Sequence, residues 1–349
     1  MENRQQTTRP RVIGAGLIAL DLVISANPDE PVQQWAGGTC GNVLTILSYL
    51  GWSAYPVARL NGDHASQGVK KDLRKWGVHL DYAELAPTSS TPIITQKIKR
   101  SMSGGTEHTF SWHCPNCGAG LPRFKPVTSA AANQVAPRLK HTNVFFYDRV
   151  SRSALTLAKA CAANGGIVVF EPSAIGDPVL FKEAVDSAHI FKYSNERIDQ
   201  LVHVTNAGRP GLIEIQTLGA KGLRYRVCLD KARTHGWRNA KPFILDQVID
   251  TAGSGDWTTA GIIDQLARRG LVGLLQASLT NIERAISYGQ ALAAWNCGYE
   301  GARGGMYGVT RDMFRKQIES IINGQKPVLT SRKKNRTRHS DTMFFCTSC

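Results

Sequence analysis

Apolar residues recur along the chain in two rhythms. Residues 12–18 form an apolar run that reads as a buried strand, with Asp21 just past its end. Val43, Ile46, Leu47 and Leu50 then repeat every three to four positions, a helix over 42–50. A short strand over 57–60 leads into the loop Asn61-Gly62-Asp63, and 70–76 reads as a helix. Residues 93–98 read as a strand in which Thr95, Lys97 and Lys99 mark one exposed face. Residues 101–125 are rich in Ser, Gly and Pro and read as irregular.

Core patterns then resume. Residues 144–147, 167–170, 190–192, 212–217 and 223–227 read as strands, and helical stretches over 155–163, 181–187 and 196–202 separate most of them. Alternating strands and helices imply a mostly parallel sheet covered by helices, an α/β fold. Three helices follow, at about 256–268, 280–295 and 311–323. Thr310 suits the N-cap of the last, with Phe314, Ile318 and Ile321 along one face. From Gly324 the chain turns polar and basic. There is no internal repeat.

Composition narrows the class. The 349 residues are 42% hydrophobic and 20% charged, which excludes wholesale disorder. The length allows one large α/β domain or about two smaller ones. Lys and Arg number 42 against 27 acids, a net charge of +15, so anionic partners are favoured: nucleotides, sugar phosphates, nucleic acid or membrane surfaces. Residues 326–349 hold six of the basic residues and only Asp341 as an acid, a net +5. No apolar run approaches the ~20 residues of a membrane helix. Arg4, Arg9 and Arg11 before residues 12–20 imitate a leader, but Asp21 interrupts the run and a core strand uses it better. The expected location is the cytoplasm.

Two glycine turns carry candidate chemistry. Asp250-Thr251-Ala252-Gly253-Ser254-Gly255-Asp256 joins a strand end to a helix start. Gly253 and Gly255 let the backbone turn tightly, so several N–H groups can converge beside the positive end of a helix dipole. Such an anion hole suits the charge that develops on a transferring phosphoryl group. Asp256 lies in the first helical turn, where that field favours the carboxylate, and could accept a proton from a hydroxyl. Taken alone, the same residues also read as a helix cap. The second turn, Trp35-Ala36-Gly37-Gly38-Thr39-Cys40-Gly41-Asn42, opens the first long helix. Its glycines allow close approach of a small polar molecule, and Asn42 offers both a donor and an acceptor.

Together these segments resemble the two signatures of the ribokinase-like carbohydrate kinases of the phosphofructokinase B type. The first is a Gly-Gly turn, then Asn, then a helix ending in Leu-Gly, here Leu50-Gly51. The second is Asp-Thr-x-Gly-x-Gly-Asp. Thr217-Leu218-Gly219-Ala220-Lys221-Gly222 is similar to the family's nucleotide turn, and the run from Asn296 to Gly304 to its adenine-side loop. The resemblance spans 12–323. It implies a three-layer sandwich of about nine strands with a small β lid, in segments 22–36 and 88–125, and leaves 324–349 as a basic tail.

It also implies transfer of the ATP γ-phosphate to a sugar hydroxyl with Mg²⁺. Carried over, Asp256 is the base, and Gly253, Ser254 and Gly255 form the anion hole with the Asp256 amide. Asp21, Gly38, Thr39 and Asn42 meet the acceptor. Asp148 and Glu171, at strand ends, could also face it. Asn195, Thr217, Gly219, Gly222 and Asn296 border the nucleotide. Asp250 and Thr251 lie near a site for a monovalent cation such as K⁺. The chain departs from the family at Ile198, where many relatives carry a Glu that organises metal and phosphate; Glu196 or Asp199 might substitute. Thr39 replaces a Lys frequent in sugar-phosphate kinases, which favours an unphosphorylated sugar or a nucleoside. Lys97, Lys99 and Arg100 in the lid could instead meet a phosphate, or form a solvated face.

The eight cysteines include two Cys-x-x-Cys pairs. Cys114 and Cys117 sit in a knuckle-like sequence ending in Gly118, and Cys346 and Cys349 close the chain. Four thiolates would make a closed structural Zn²⁺ site. The leading reading folds the C-terminal tail back, where Zn²⁺ clips it to the lid-region insertion within one chain; a metal-bridged dimer, disulfides or unpaired thiols are the alternatives. Cys40, Cys161, Cys228 and Cys297 read as small apolar fillers. The expected partners are a small sugar and ATP, with a homodimer expected. Two other functions compete with a sugar kinase. One is a nucleoside kinase, for which the sequence reveals no base-stacking position. The other is a nucleic-acid-binding or regulatory protein, suggested by Arg332, Lys333, Lys334, Arg336 and Arg338.

Overall fold

The computed structural model describes residues 9–25, 27, 32–60, 62–83, 89–100, 106–198, 210–230, 233–326, 329, 346 and 348–349. Asp199 and the five basic residues of the tail lie outside the described residues.

The strands are β1 Arg11–Ala15, β2 Ala19–Ile24, β3 Gln33–Gly37, β4 Ser53–Val57, β5 Ile93–Arg100, β6 Thr106–Ser111, β7 Val144–Tyr147, β8 Ile167–Phe170, β9 Ile190–Ser194, β10 Leu212–Thr217, β11 Leu223–Cys228 and β12 Thr234–Ala240. The helices are α1 Thr39–Tyr49, α2 His64–Lys75, α3 Ser129–Val135, α4 Arg152–Ala163, α5 Pro178–Ser187, α6 Ser254–Leu266, α7 Gly270–Leu275, α8 Leu279–Cys297, α9 Gly304–Gly308 and α10 Arg311–Ile322.

Eight strands form the main sheet in the order β4-β1-β7-β8-β9-β10-β11-β12. From β4 to β10 the pairing is parallel; β11 and β12 run antiparallel. The inner strands are covered on both faces, which explains their unbroken apolar runs. Val144, Phe146, Val169 and Ile213 face a layer containing α1, α6, α8 and α10. Phe145, Tyr147, Phe170 and Phe191 face α3, α4 and α5. The α/β three-layer sandwich with a mostly parallel sheet is therefore present. A second sheet, β3-β2-β5-β6, is built from 19–24, 33–37, 93–100 and 106–111.

Several elements differ from expectation. The run 12–18 is not one strand: β1 ends at Ala15 and β2 begins at Ala19. The break follows from Leu17, whose N–H donates to Asp148 at 2.8 Å. Asp21 therefore lies inside a strand of the small sheet and not past the end of a core strand. The expected strand over 57–60 is shifted to β4, whose Pro56 is tolerated because β4 is an edge strand. Helix α2 begins at His64, because Asp63 caps it through the Ser66 N–H at 2.7 Å. Thr95, expected on an exposed face, is buried and donates to the Ser111 and His113 carbonyls. Residues 195–197 form a turn where a helix over 196–202 was expected; 199–209 lie outside the described residues.

Candidate active site

The two glycine turns meet. Helix α1 starts after Gly38, whose φ of 78° places it in a region that favours glycine. A Cβ there would lie 2.4 Å from the Leu17 carbonyl oxygen. This start sets Asn42 on the first turn, where its Nδ2 donates to Asp256 Oδ2 at 2.7 Å. The bond joins residues 214 apart in sequence. Helix α6 starts after Gly253, which has φ 74° and packs onto Ala302; a Cβ would lie 2.3 Å from its carbonyl oxygen. Gly261 and Gly289 then let α6 and α8 approach closely.

The amides of Ser254, Gly255 and Asp256 fall in the first turn of α6, where helix N–H groups lack intrahelical partners. The Ser254 N–H donates to the Thr251 carbonyl at 3.2 Å, which leaves the Gly255 and Asp256 amides to lead the expected anion hole. Asp256 is buried. Burial, with repulsion from Glu171, pushes its carboxyl up to about 8 against the opposing pull of Asn42, Lys192 and Arg197.

Asp21 reaches over Gly37 on the neighbouring strand. Burial pushes its carboxyl up to about 7, offset partly by Arg303 and the Gly38 amide. Among the described residues, its Oδ1, Asn42 Oδ1 and Arg303 Nη1 are covered from solvent with no hydrogen-bond partner. Buried polar atoms without partners are rare, which makes these three candidates to meet a polar molecule. Thr39 is half-buried beside this group.

Two other expected acceptor residues, Asp148 and Glu171, carry bonds within the protein. Asp148 accepts from the Leu17 N–H and from Arg149 Nη1, each at 2.8 Å, which anchors the step from β1 to β2. Burial pushes it up to about 6 despite Arg149. Glu171, at the end of β8, pairs with buried Lys192 of β9 and accepts from Thr259 Oγ1 at 2.5 Å. Lys192 lies under the anion-receiving turn: a Cβ on Gly255 would sit 3.5 Å from its Nζ. Sequence reading missed Lys192. Its signal was a lysine inside the apolar run Ile190-Phe191-Lys192-Tyr193, since such lysines are seldom buried without a partner.

The nucleotide-side residues form two groups. The Asn195 N–H donates to the Thr217 carbonyl at 3.1 Å, which joins the ends of β9 and β10. Gly219 and Gly222 shape the following turn, with Glu196 beside Gly219. In the second group, Asp250 accepts from the Ala252 and Gly301 N–H groups at 2.7 and 2.8 Å. Asn296 is fully buried and donates to the Ala252 and Gly301 carbonyls. Thr251 lies between these contacts and Gly253. Arg303, read only as part of an adenine-side loop, instead turns to the acceptor side. It pairs with Asp72 at 2.8 Å and donates to the Ala36 carbonyl.

A separate cluster unites the two cysteine pairs within one chain. The thiols of Cys114, Cys117, Cys346 and Cys349 lie within 4.8 Å of one another. Cys114 and Cys349 are 3.7 Å apart, Cys117 and Cys346 3.6 Å. A tetrahedron with ~2.3 Å Zn–S bonds has edges of roughly 3.8 Å, so the donor set fits zinc. All eight cysteines are free thiols.

The fold is a three-layer α/β sandwich in which two glycine-led helix starts meet. Residues 24–306 match the pfkB family carbohydrate kinases, and the chain belongs to that family. No curated protein matches it significantly. Among solved structures it is similar to Arabidopsis thaliana ribokinase complexed with ribose and ATP, at 17% identity over 90% of this chain and 98% of that one, with a TM-score of 0.63. It is similar to a Burkholderia thailandensis nucleoside kinase in complex with inosine, at 15% identity over 91% and 98%, TM-score 0.65. A Xylella fastidiosa fructokinase with bound ATP matches at 16% over 89% and 98%, TM-score 0.65. At these identities the likeness shows the fold. Among the described residues, no helix is long and apolar enough to cross a membrane.

Proposed function

We propose that the chain transfers the γ-phosphate of ATP to a hydroxyl of a small sugar. The observation that carries this reading is the Asn42–Asp256 bond, which sets a buried carboxyl beside an anion-receiving helix start and a cluster of unpartnered polar atoms. Asp21 and Asn42 would hold the acceptor hydroxyls. Asp256, ionised, would take the proton of the attacking hydroxyl as its oxygen bonds to the γ-phosphorus and ADP leaves. The Gly255 and Asp256 amides, with Lys192 beneath, would receive the charge spread over the phosphoryl oxygens.

Asn195 and Glu196, at the nucleotide side, offer oxygen donors that could support a Mg²⁺ brought in with the nucleotide phosphates. Ile198 is buried and offers no ligand. When bound, Mg²⁺ would neutralise phosphate charge. Asn296 Oδ1, buried without a partner among the described residues and beside the loops of Asp250 and Thr251, fits a monovalent cation such as K⁺. The four-thiol cluster would hold a structural Zn²⁺.

A nucleoside acceptor is the second reading. Trp35, opposite Asp21 in the strand register and packed on Tyr307 at 4.5 Å, offers a ring near the acceptor carboxyl. An ATP-consumption screen over sugars, sugar phosphates and nucleosides separates the two. Stimulation by sugars supports the first reading, and stimulation by nucleosides alone supports the second.

A further inference from the structure

Arg303 is a buried cation that reaches both glycine turns of the candidate site. It stands between α8 and α9, directly after Ala302. The Ala302 carbonyl accepts from Trp257 Nε1 at 3.0 Å and packs against Gly253, which fixes this loop to the start of α6. One residue later, Arg303 Nη2 crosses to the other turn. It donates to the Ala36 carbonyl, next to Gly37 and Gly38, and to Asp72 Oδ2 of α2 at 2.8 Å. Asp72 is held in turn, by the Ala36 N–H at 3.2 Å and the Tyr307 hydroxyl at 2.9 Å.

Asp72 occupies only one end of the guanidinium. The other end, Nη1, is covered from solvent with no partner among the described residues. A second carboxylate, Asp21, lies over Gly37 and within electrostatic reach of Arg303. Its Oδ1 is likewise covered and without a partner among the described residues. Leaving both groups unpaired is costly in a buried place.

The two atoms have opposite needs. Nη1 can only donate, and an ionised Oδ1 can only accept. A group that serves both must accept and donate through one atom, and a hydroxyl does this. An oxyanion would meet the charge of Asp21, and an ammonium would meet that of Arg303, so each brings a like-charge contact.

We propose that Arg303 is a specificity-determining residue of the acceptor site, where one acceptor hydroxyl accepts from Arg303 Nη1 and donates to Asp21 Oδ1. The inference rests on the sugar-kinase reading and adds to it a residue outside both glycine turns. Both bonds are charge-assisted. An acceptor that lacks this hydroxyl leaves two buried charged groups unpaired, and sites of that kind discriminate strongly against the deoxy analogue.

The test uses the full chain and the sugars and nucleosides of the acceptor screen, each beside its monodeoxy derivatives. For the best acceptor, removal of one particular hydroxyl should lower kcat/KM about thirtyfold or more with the wild type. In Arg303→Gln the same penalty should shrink to within about threefold, with KM for the parent acceptor raised and kcat nearly unchanged. A residue that only braces the two turns would lower kcat for parent and deoxy acceptors alike and leave their ratio as it was. If Arg303→Gln does not fold, Arg303→Lys keeps a charge for Asp72 without the fork, and the penalty should shrink about threefold or more. An unchanged penalty in a folded variant overturns the proposal and leaves the kinase reading standing. So does a wild type that is indifferent to the loss of every single hydroxyl. If no acceptor supports ATP turnover, the kinase reading fails, and calorimetric titration of the same compounds decides on Arg303. Binding whose deoxy penalty vanishes in the variant supports the bridge, and absence of binding overturns it.

Discussion

Asp256 carries two opposed demands. A base must be ionised to accept a proton, yet burial and Glu171 hold its carboxyl up to about 8. Three consequences follow at the scale of the residue. First, kcat/KM should rise with pH through an acid limb near 8 in the free enzyme. Second, Glu171→Gln removes a repulsive neighbour, so that limb should move to lower pH; an unmoved limb would exclude Glu171 as its cause. Third, a carboxyl whose folded value lies above its unfolded one binds more protons when folded. Stability therefore falls as pH rises from about 4 towards 8. Asp256→Asn removes that loss, so the variant should melt higher than the wild type above pH 8 while losing about 10²–10⁴-fold in kcat. Asp256 and Asn42 were legible because glycine turns before helices are visible in sequence. Lys192 and Arg303 were not, because their roles depend on which loops the fold brings together over long separations.

At the scale of the element, the start of α6 is the most constrained feature. Gly253 combines a positive φ with backbone contact at Ala302. Gly253→Ala should cost about 2–4 kcal/mol, from left-handed strain plus overpacking, measured by urea unfolding. A cost under ~0.5 kcal/mol, the range of neutral surface changes, would show that the turn tolerates a side chain. The inner parallel strands were legible because both faces are buried and their apolar runs are unbroken. β12 was not, because it is an edge strand exposed along most of its length. β6 was hidden in a Ser- and Gly-rich stretch, since its pairing with β5 leaves Phe110 exposed and gives no core pattern. Pro56 disguised β4 for the same reason of position, at the sheet's edge.

At the scale of the molecule, the four thiols tie the end of the chain to the hairpin that follows β6. The Cys-x-x-Cys spacing was legible in each pair, and their meeting within one chain was the leading reading beside a dimer bridge and disulfides; only the fold decides among these, because the pairs lie far apart in sequence. Protein purified without added metal should carry about one zinc per chain. Cys349→Ser should lower that content and the melting temperature. Because four thiolates leave no open coordination position, kcat at saturating acceptor should persist in the folded variant. Less than half an equivalent of zinc in the wild type would count against a metal clip.

The central claim is phosphotransfer from ATP to a sugar hydroxyl through Asp256. Its most direct test is product formation in the acceptor screen, with wild type and Asp256→Asn side by side. The account predicts that particular sugars yield ADP and phosphorylated sugar in equal amounts with the wild type, and almost none with the variant. Absence of any sugar-dependent product, or equal product from a folded Asp256→Asn variant, would contradict it.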